Sequence, residues 1–203
     1  MLVMLNNSRT GFSYAQCASA KGYDIRFVDS SKKEIDYEVD EWNPGADSFL
    51  WVKVPQLKPN TTYVWLYFGN SNSMAAPPAY TRDGSTWTEG YTSVHHLGNT
   101  NDCDFSYGTP AIWTWVYNSV ANYQDDFAYT YANGDASGMD EADFTPAKIG
   151  RGLAFNSEGA ENDEYLYVET DYANFTTGLT IATWVNEKTI GTAGSGLYQC
   201  FVE

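Results

Sequence analysis

Apolar and polar residues alternate through the first third of the chain. Ile25 and Phe27 alternate with Asp24 and Arg26, and Ile35, Tyr37 and Val39 resume the pattern after a polar turn at Ser30–Lys33. A two-residue period is that of a half-buried β-strand, and Asn43-Pro44-Gly45 ends the second run. Leu2–Leu5 reads as a short apolar strand before a polar turn at residues 6–10. Phe49–Val54 (FLWVKV) and Tyr63–Phe68 (YVWLYF) are apolar on both faces, which suits strands in the middle of a sandwich. Phe12–Ala20 fits either a short helix or a loop.

Ser71–Pro78 (SNSMAAPP) has the composition of a linker. Beyond it, Gly90–Leu97, Ile112–Tyr117 and three segments from Gly150 onward (GRGLAFN, EYLYVET, GLTIATWV) read as strands. Leu153, Phe155, Leu166, Val168, Leu179 and Ile181 are the expected core positions there. Residues 118–146 are polar and give no clear period. The pattern predicts an all-β chain of two consecutive antiparallel β-sandwich (jelly-roll-like) domains, residues 1–76 and 77–203.

Composition narrows the function classes. With 43% hydrophobic and 16% aromatic residues the chain is no disordered segment. Its net charge of −15 opposes nucleic acid and anionic lipid, both of which need cationic contacts. Solubility or calcium binding accounts for the acidity. No run approaches the roughly 20 apolar residues of a membrane helix, so no membrane insertion is expected. MLVMLNNSRT lacks the cationic lead and long apolar run of a signal peptide. Cys17, Cys103 and Cys200 form no metal-binding pair, and a Cys17–Cys103 bridge stays open as an alternative.

Candidate chemistry is sparse. Asp102, Asp104, Asp125 and Asp126, with Asp135, Asp140, Glu141 and Asp143, supply the oxygen ligands that calcium takes, yet no D-x-[DN]-x-[DN]-G loop frames them. Glu38-Val39-Asp40-Glu41-Trp42-Asn43 and Glu161–Glu164 only approximate the paired carboxylates of a glycanase, and both read as exposed edges. His95 and His96 are the two imidazoles; as neighbours on a strand they would face opposite ways, and each reads as a packed or surface histidine. Trp113, Trp115 and Tyr117 share one parity, joined by Trp87 and Tyr91 as further rings, so they line either a glycan-stacking face or a sandwich core.

GYDIRFVDS, IDYEVDEWNP, LWVKVP and YVWLYFGN, in that order, resemble the family catalogued as domain of unknown function 2341 over about residues 1–74. The resemblance implies a bacterial or archaeal surface protein whose first strand precedes Leu2, and it supplies no catalytic residue. SVHHL, GRGLAFN, YLYV and GLTIATWV are similar to the concanavalin A-like, laminin-G-type jelly roll over about residues 87–186, with His95 where tryptophan is usual. That resemblance implies calcium at loop ends and a second domain truncated at its C-terminus. The expected function is non-catalytic: an extracellular or cell-surface region for adhesion, glycan recognition or surface structure, with a glycan or a neighbouring surface-protein chain as partner. The alternatives are an accessory module of a polysaccharide-degrading enzyme and a structural spacer or envelope-complex subunit.

Overall fold

The alternation in the first 70 residues folds as two three-stranded antiparallel sheets packed face to face. In chain order the strands are β1 (Leu2–Leu5), β2 (Arg26–Val28), β3 (Glu34–Ile35), β4 (Tyr37–Glu41), β5 (Ser48–Val52) and β6 (Trp65–Tyr67). One sheet has the order β1-β5-β4 and the other β3-β2-β6. This computed structural model describes residues 1–60, 62–73, 75–98, 103–104, 115–120, 127–129, 143–155, 167–169 and 180–185. The expectation of an all-β chain holds: among the described residues every strand pair is antiparallel and the only helices are short 3-10 turns.

Inward-facing residues of both sheets make one core. Leu5, Ile25, Phe27, Ile35, Tyr37, Leu50 and Val52 are buried together with Phe12. Phe27 and Tyr37 meet edge to face across the two layers at 5.1 Å, a geometry favoured by the ring quadrupole. The Tyr37 hydroxyl donates to the Ile25 carbonyl at 2.7 Å. Burial pushes its phenol up to about 12 despite the nearby Arg26. The core opens into a cavity of about 210 Å³ lined by Val3, Leu5, Phe27, Val64 and Leu66, between the β1 and β6 sides.

Phe12–Ala20 resolves as a loop with one 3-10 turn at Tyr14–Gln16, capped by Ser13. Asp24 fixes this loop. Its Oδ2 accepts from the amides of Ala18 (2.9 Å) and Gly69 (2.6 Å), and its Oδ1 from Ser19 (3.0 Å). Burial works against the charge, but the backbone donors outweigh it and hold the carboxyl below its ordinary value. Cys17, packed against the same core, is a free thiol, so the alternative of a Cys17–Cys103 bridge is not realised. Burial, then the Asp24 charge, pushes it up to about 11.

The chain divides into two compact units, Met1–Thr170 and Asp171–Glu203. The first also contains β7 (Cys103–Asp104), β8 (Trp115–Val116), β9 (Phe127–Tyr129), β10 (Phe144–Pro146), β11 (Arg151–Leu153) and β12 (Tyr167–Glu169). They pair as β7-β8, β10-β11 and β12-β9. Three expectations are corrected. Residues 91–98 form no strand, because their polar groups bond to side chains and turns instead of a ladder. YVWLYF supplies an edge strand, not a central one, and its outer face is open. Phe155 and Ile181, expected in the core, are exposed.

Asp24 yields a direct test. In Asp24→Asn one acceptor becomes an amide donor, so at least one of the three backbone N–H groups loses its partner whichever way the amide turns. The cost should be about 2 kcal/mol near neutrality. Because the folded pKa is depressed, the carboxylate's contribution is present above its ordinary value of 3.8 and lost as pH falls through the folded value. Thermal melts from pH 2 to 7 should show the variant's deficit shrinking toward acid.

Candidate functional site

The core-lining alternation has a second consequence on the opposite face of the β1-β5-β4 sheet. Tyr37, Val39, Leu50 and Val52 turn inward, which sends Glu38 and Trp51 outward as a directly opposed pair. The register then slips: Asp40 and Glu41 of β4 share the single residue Phe49 of β5. Asp40, two residues from Glu38 and so of the same parity, joins it on the outer face, where both meet His96.

Residues 84–98 and 116–120 cover this face. Gly84 begins the cover with φ +82, and a Cβ there would lie 2.5 Å from the Val120 carbonyl oxygen, so only glycine lets the two segments approach. Asn118 joins them further: its Oδ1 accepts from the amides of Val94 and Val120, both at 3.0 Å. The Lys53 ammonium donates to the Ser85 carbonyl at 2.9 Å.

Beneath the cover lies a closed cluster. His96 Nε2 is 3.3 Å from Glu38 Oε2, and its Nδ1 is 3.5 Å from Asp40 Oδ2. The three side chains are only 8%, 6% and 10% exposed respectively. Trp87 donates its indole N–H to Glu38 Oε2, and Trp51 donates to Asp40 Oδ2 at 3.0 Å. The Trp51 ring stacks on the imidazole with centroids 6.0 Å apart, Trp87 tilts over it at 5.7 Å, and Tyr91 meets Trp87 edge-on.

Proton counting constrains this arrangement. A neutral imidazole offers one N–H and one lone pair, yet both ring nitrogens face carboxylate oxygens. The arrangement favours one further proton in the cluster, since facing lone pairs on the imidazole and an acid would repel. The two acids differ. Burial would raise Glu38, but the hydrogen bond and charge of His96, with donors from Trp87 and Ser119, hold it below its ordinary value. Burial dominates at Asp40 and raises it, the His96 charge and the Trp51 bond offsetting only part. The two acids are thus biased in opposite directions, Glu38 toward its ionised form and Asp40 toward its neutral one.

Two carboxyls pushed in opposite directions are the raw material of acid–base chemistry. Here indoles and imidazole occupy the groups that a substrate would have to reach. Glu38 and Asp40, expected at an exposed edge, are thus buried. The correction has a simple cause: the outer face of this sheet is roofed by residues nearly fifty positions further along the chain.

His95 behaves separately. Its Nδ1 lies 3.0 Å from the Tyr117 carbonyl and its Nε2 2.7 Å from the Ser93 hydroxyl. A carbonyl only accepts, so Nδ1 carries a proton and donates to it, and the Ser93 hydroxyl pairs with Nε2. It packs the cover.

Among the described residues no group of three or more His, Cys, Asp or Glu side chains could hold a metal ion. Of the expected calcium ligands, Asp104 lies on β7, directly opposite Trp115 on β8. Asp102, Asp125 and Asp126 lie outside the described residues, as does Trp113. Tyr117 is half-buried beside His95.

The segment that builds most of the outer face and its first covering turn is also the one that a family model matches. Residues 21–85 match the family model described as domain of unknown function (DUF2341). The match starts later and ends later than the four motifs suggested, reaching Ser85 at the edge of the cover. No curated protein and no solved structure matches the chain. No helix among the described residues is long and apolar enough to cross a membrane.

The cluster gives opposite pH signatures for its two acids. Glu38→Gln breaks a buried ion pair and should cost roughly 3 kcal/mol at pH 7. Its deficit should shrink as pH falls below Glu38's ordinary 4.5, where the depressed carboxylate's contribution is lost. Asp40→Asn should behave inversely. A raised acid stabilises the fold below its ordinary 3.8 and loses that contribution as pH rises, so this variant should gain on the wild type toward neutral pH. Urea titrations at several pH values would check both slopes.

Proposed function

We propose that this chain is a non-catalytic region of an extracellular surface protein, serving adhesion, glycan recognition or surface structure. The observation that carries this reading is the closure of the Glu38–His96–Asp40 cluster. The chain's one described pairing of carboxylates with an imidazole is spent on fastening residues 84–98 and 116–120 to a sheet. The likeness of residues 21–85 to a family found in modular surface proteins supports the location, and the net charge of −15 fits a partner without polyanionic character.

The second half is, on this reading, part of a concanavalin A-like, laminin-G-type jelly roll. Asp102, Asp104, Asp125 and Asp126 are its calcium candidates, and Trp113, Trp115 and Tyr117 its ring candidates. A neighbouring surface-protein chain is the alternative partner to a glycan.

Two measurements test the proposal. Incubation with neutral polysaccharides should release no reducing ends above a no-protein control; release by the wild type that Glu38→Gln abolishes would identify a hydrolase instead. Calcium at a hundred times its dissociation constant should stabilise the chain by about 2.7 kcal/mol, read as a rise in Tm. An unchanged Tm across millimolar calcium removes the metal from the account.

A further inference from the structure

The β3-β2-β6 sheet carries a feature that neither the core nor the buried cluster uses. Tyr63, Trp65 and Tyr67 alternate with Val64, Leu66 and Phe68, which pack on the core. The outward three are 55%, 55% and 56% exposed. Strand parity makes this systematic: fixing Leu66 inward puts its neighbours on the outer face. Tyr63 and Trp65 meet edge to face at 5.7 Å, so each ring restrains the other. The phenol and indole polar groups of the three make no hydrogen bond to any described residue, leaving them available to a ligand.

Along a strand, alternate residues are about 6.8 Å apart, the spacing of Trp65 and Tyr67 on β6, and Tyr63 just before that strand, in contact with Trp65, lengthens the strip to suit an oligosaccharide. Arg26 is paired in register with Tyr67 and Val28 with Trp65. The Arg26 guanidinium lies 3.5 Å from Glu34, leaving that charge balanced.

The size of the three-ring strip suits a narrow ligand. Large aromatic side chains bury about 150–250 Å² each when covered fully, so three half-exposed rings offer roughly 300 Å². A standard protein interface needs about 800 Å² per partner. A sugar chain needs less, because its apolar ring faces stack on indole and phenol while its hydroxyls bond the polar groups beside them. The net charge of −15 disfavours acidic glycans.

We propose that Tyr63, Trp65 and Tyr67 form a binding strip for a neutral polysaccharide. The assignment rests on the reading of the chain as a non-catalytic surface region and names the ligand class of that region.

Affinity electrophoresis of the 203-residue chain through gels containing xylan, mannan or hydroxyethyl cellulose, with sedimentation on insoluble chitin, tests it. Alginate serves as the acidic control. The wild type should be retarded or captured by at least one neutral polymer and not by alginate. Trp65→Ala should weaken that binding at least about ten-fold with Tm within a few degrees of wild type, and Trp65→Tyr should restore most of it. Tyr67→Ala provides an independent reading should Trp65→Ala fold poorly. No retention by any neutral polymer, or retention indifferent to both alanine variants, overturns the strip. Self-association that Trp65→Ala abolishes, without polysaccharide binding, also overturns it and makes the face a protein contact. Sugar release, by contrast, would overturn the non-catalytic reading and leave the strip standing.

Discussion

The strand pair β4–β5 is the constraint on which the rest depends, because its two faces do different work. One face supplies Tyr37, Leu50 and Val52 to the core shared with β2, β3 and β6. The other would present Glu38, Asp40 and Trp51 to water if nothing covered it. The hydrophobic face fixes the register, since a slip of one residue would exchange the two sets. Once the register is fixed, Glu38 and Asp40, two residues apart, are committed together to the outer face.

Burying two carboxyl groups is costly unless each finds donors. His96 faces both acids, and the indoles of Trp51 and Trp87 with the Ser119 side chain supply further hydrogen bonds. The asymmetry between Glu38 and Asp40 follows: Glu38 has the better-aligned imidazole contact and a second donor residue in Ser119, whereas burial prevails at Asp40. A cluster so engaged holds chain segments together, and its closure is why catalysis is not assigned to it. The exposed rings on the opposite sheet have the reverse character, being accessible and unbonded.

Alternation made much of the first sandwich legible. Ile25, Phe27, Ile35 and Tyr37 announced the inward face, and the turns at Ser30–Lys33 and Asn43–Gly45 its hairpins. The same parity placed Glu38 and Trp51 on one outer face, but nothing local indicated that His96 and Trp87 would cover it. That contact spans 58 residues between Glu38 and His96, a distance over which pattern carries no pairing information. YVWLYF misled for a related reason. An apolar outer face suggested a strand covered in the middle of the sandwich, whereas the sheet order puts β6 at an edge with Tyr63, Trp65 and Tyr67 exposed. Of the jelly-roll motifs in the second half, GRGLAFN supplies β11, whereas SVHHL and residues 180–185 of GLTIATWV form no strand.

The coupling between Glu38 and His96 bears most directly on the claim that this cluster fastens the cover to the sandwich. A double-mutant cycle with Glu38→Gln, His96→Gln and the double variant, measured by urea unfolding at pH 7, isolates it. The closed cluster predicts a coupling energy of at least about 1 kcal/mol, with each single variant nearly as destabilised as the double. Additive effects would contradict the account, because they would mean that the carboxylate and the imidazole do not hold each other.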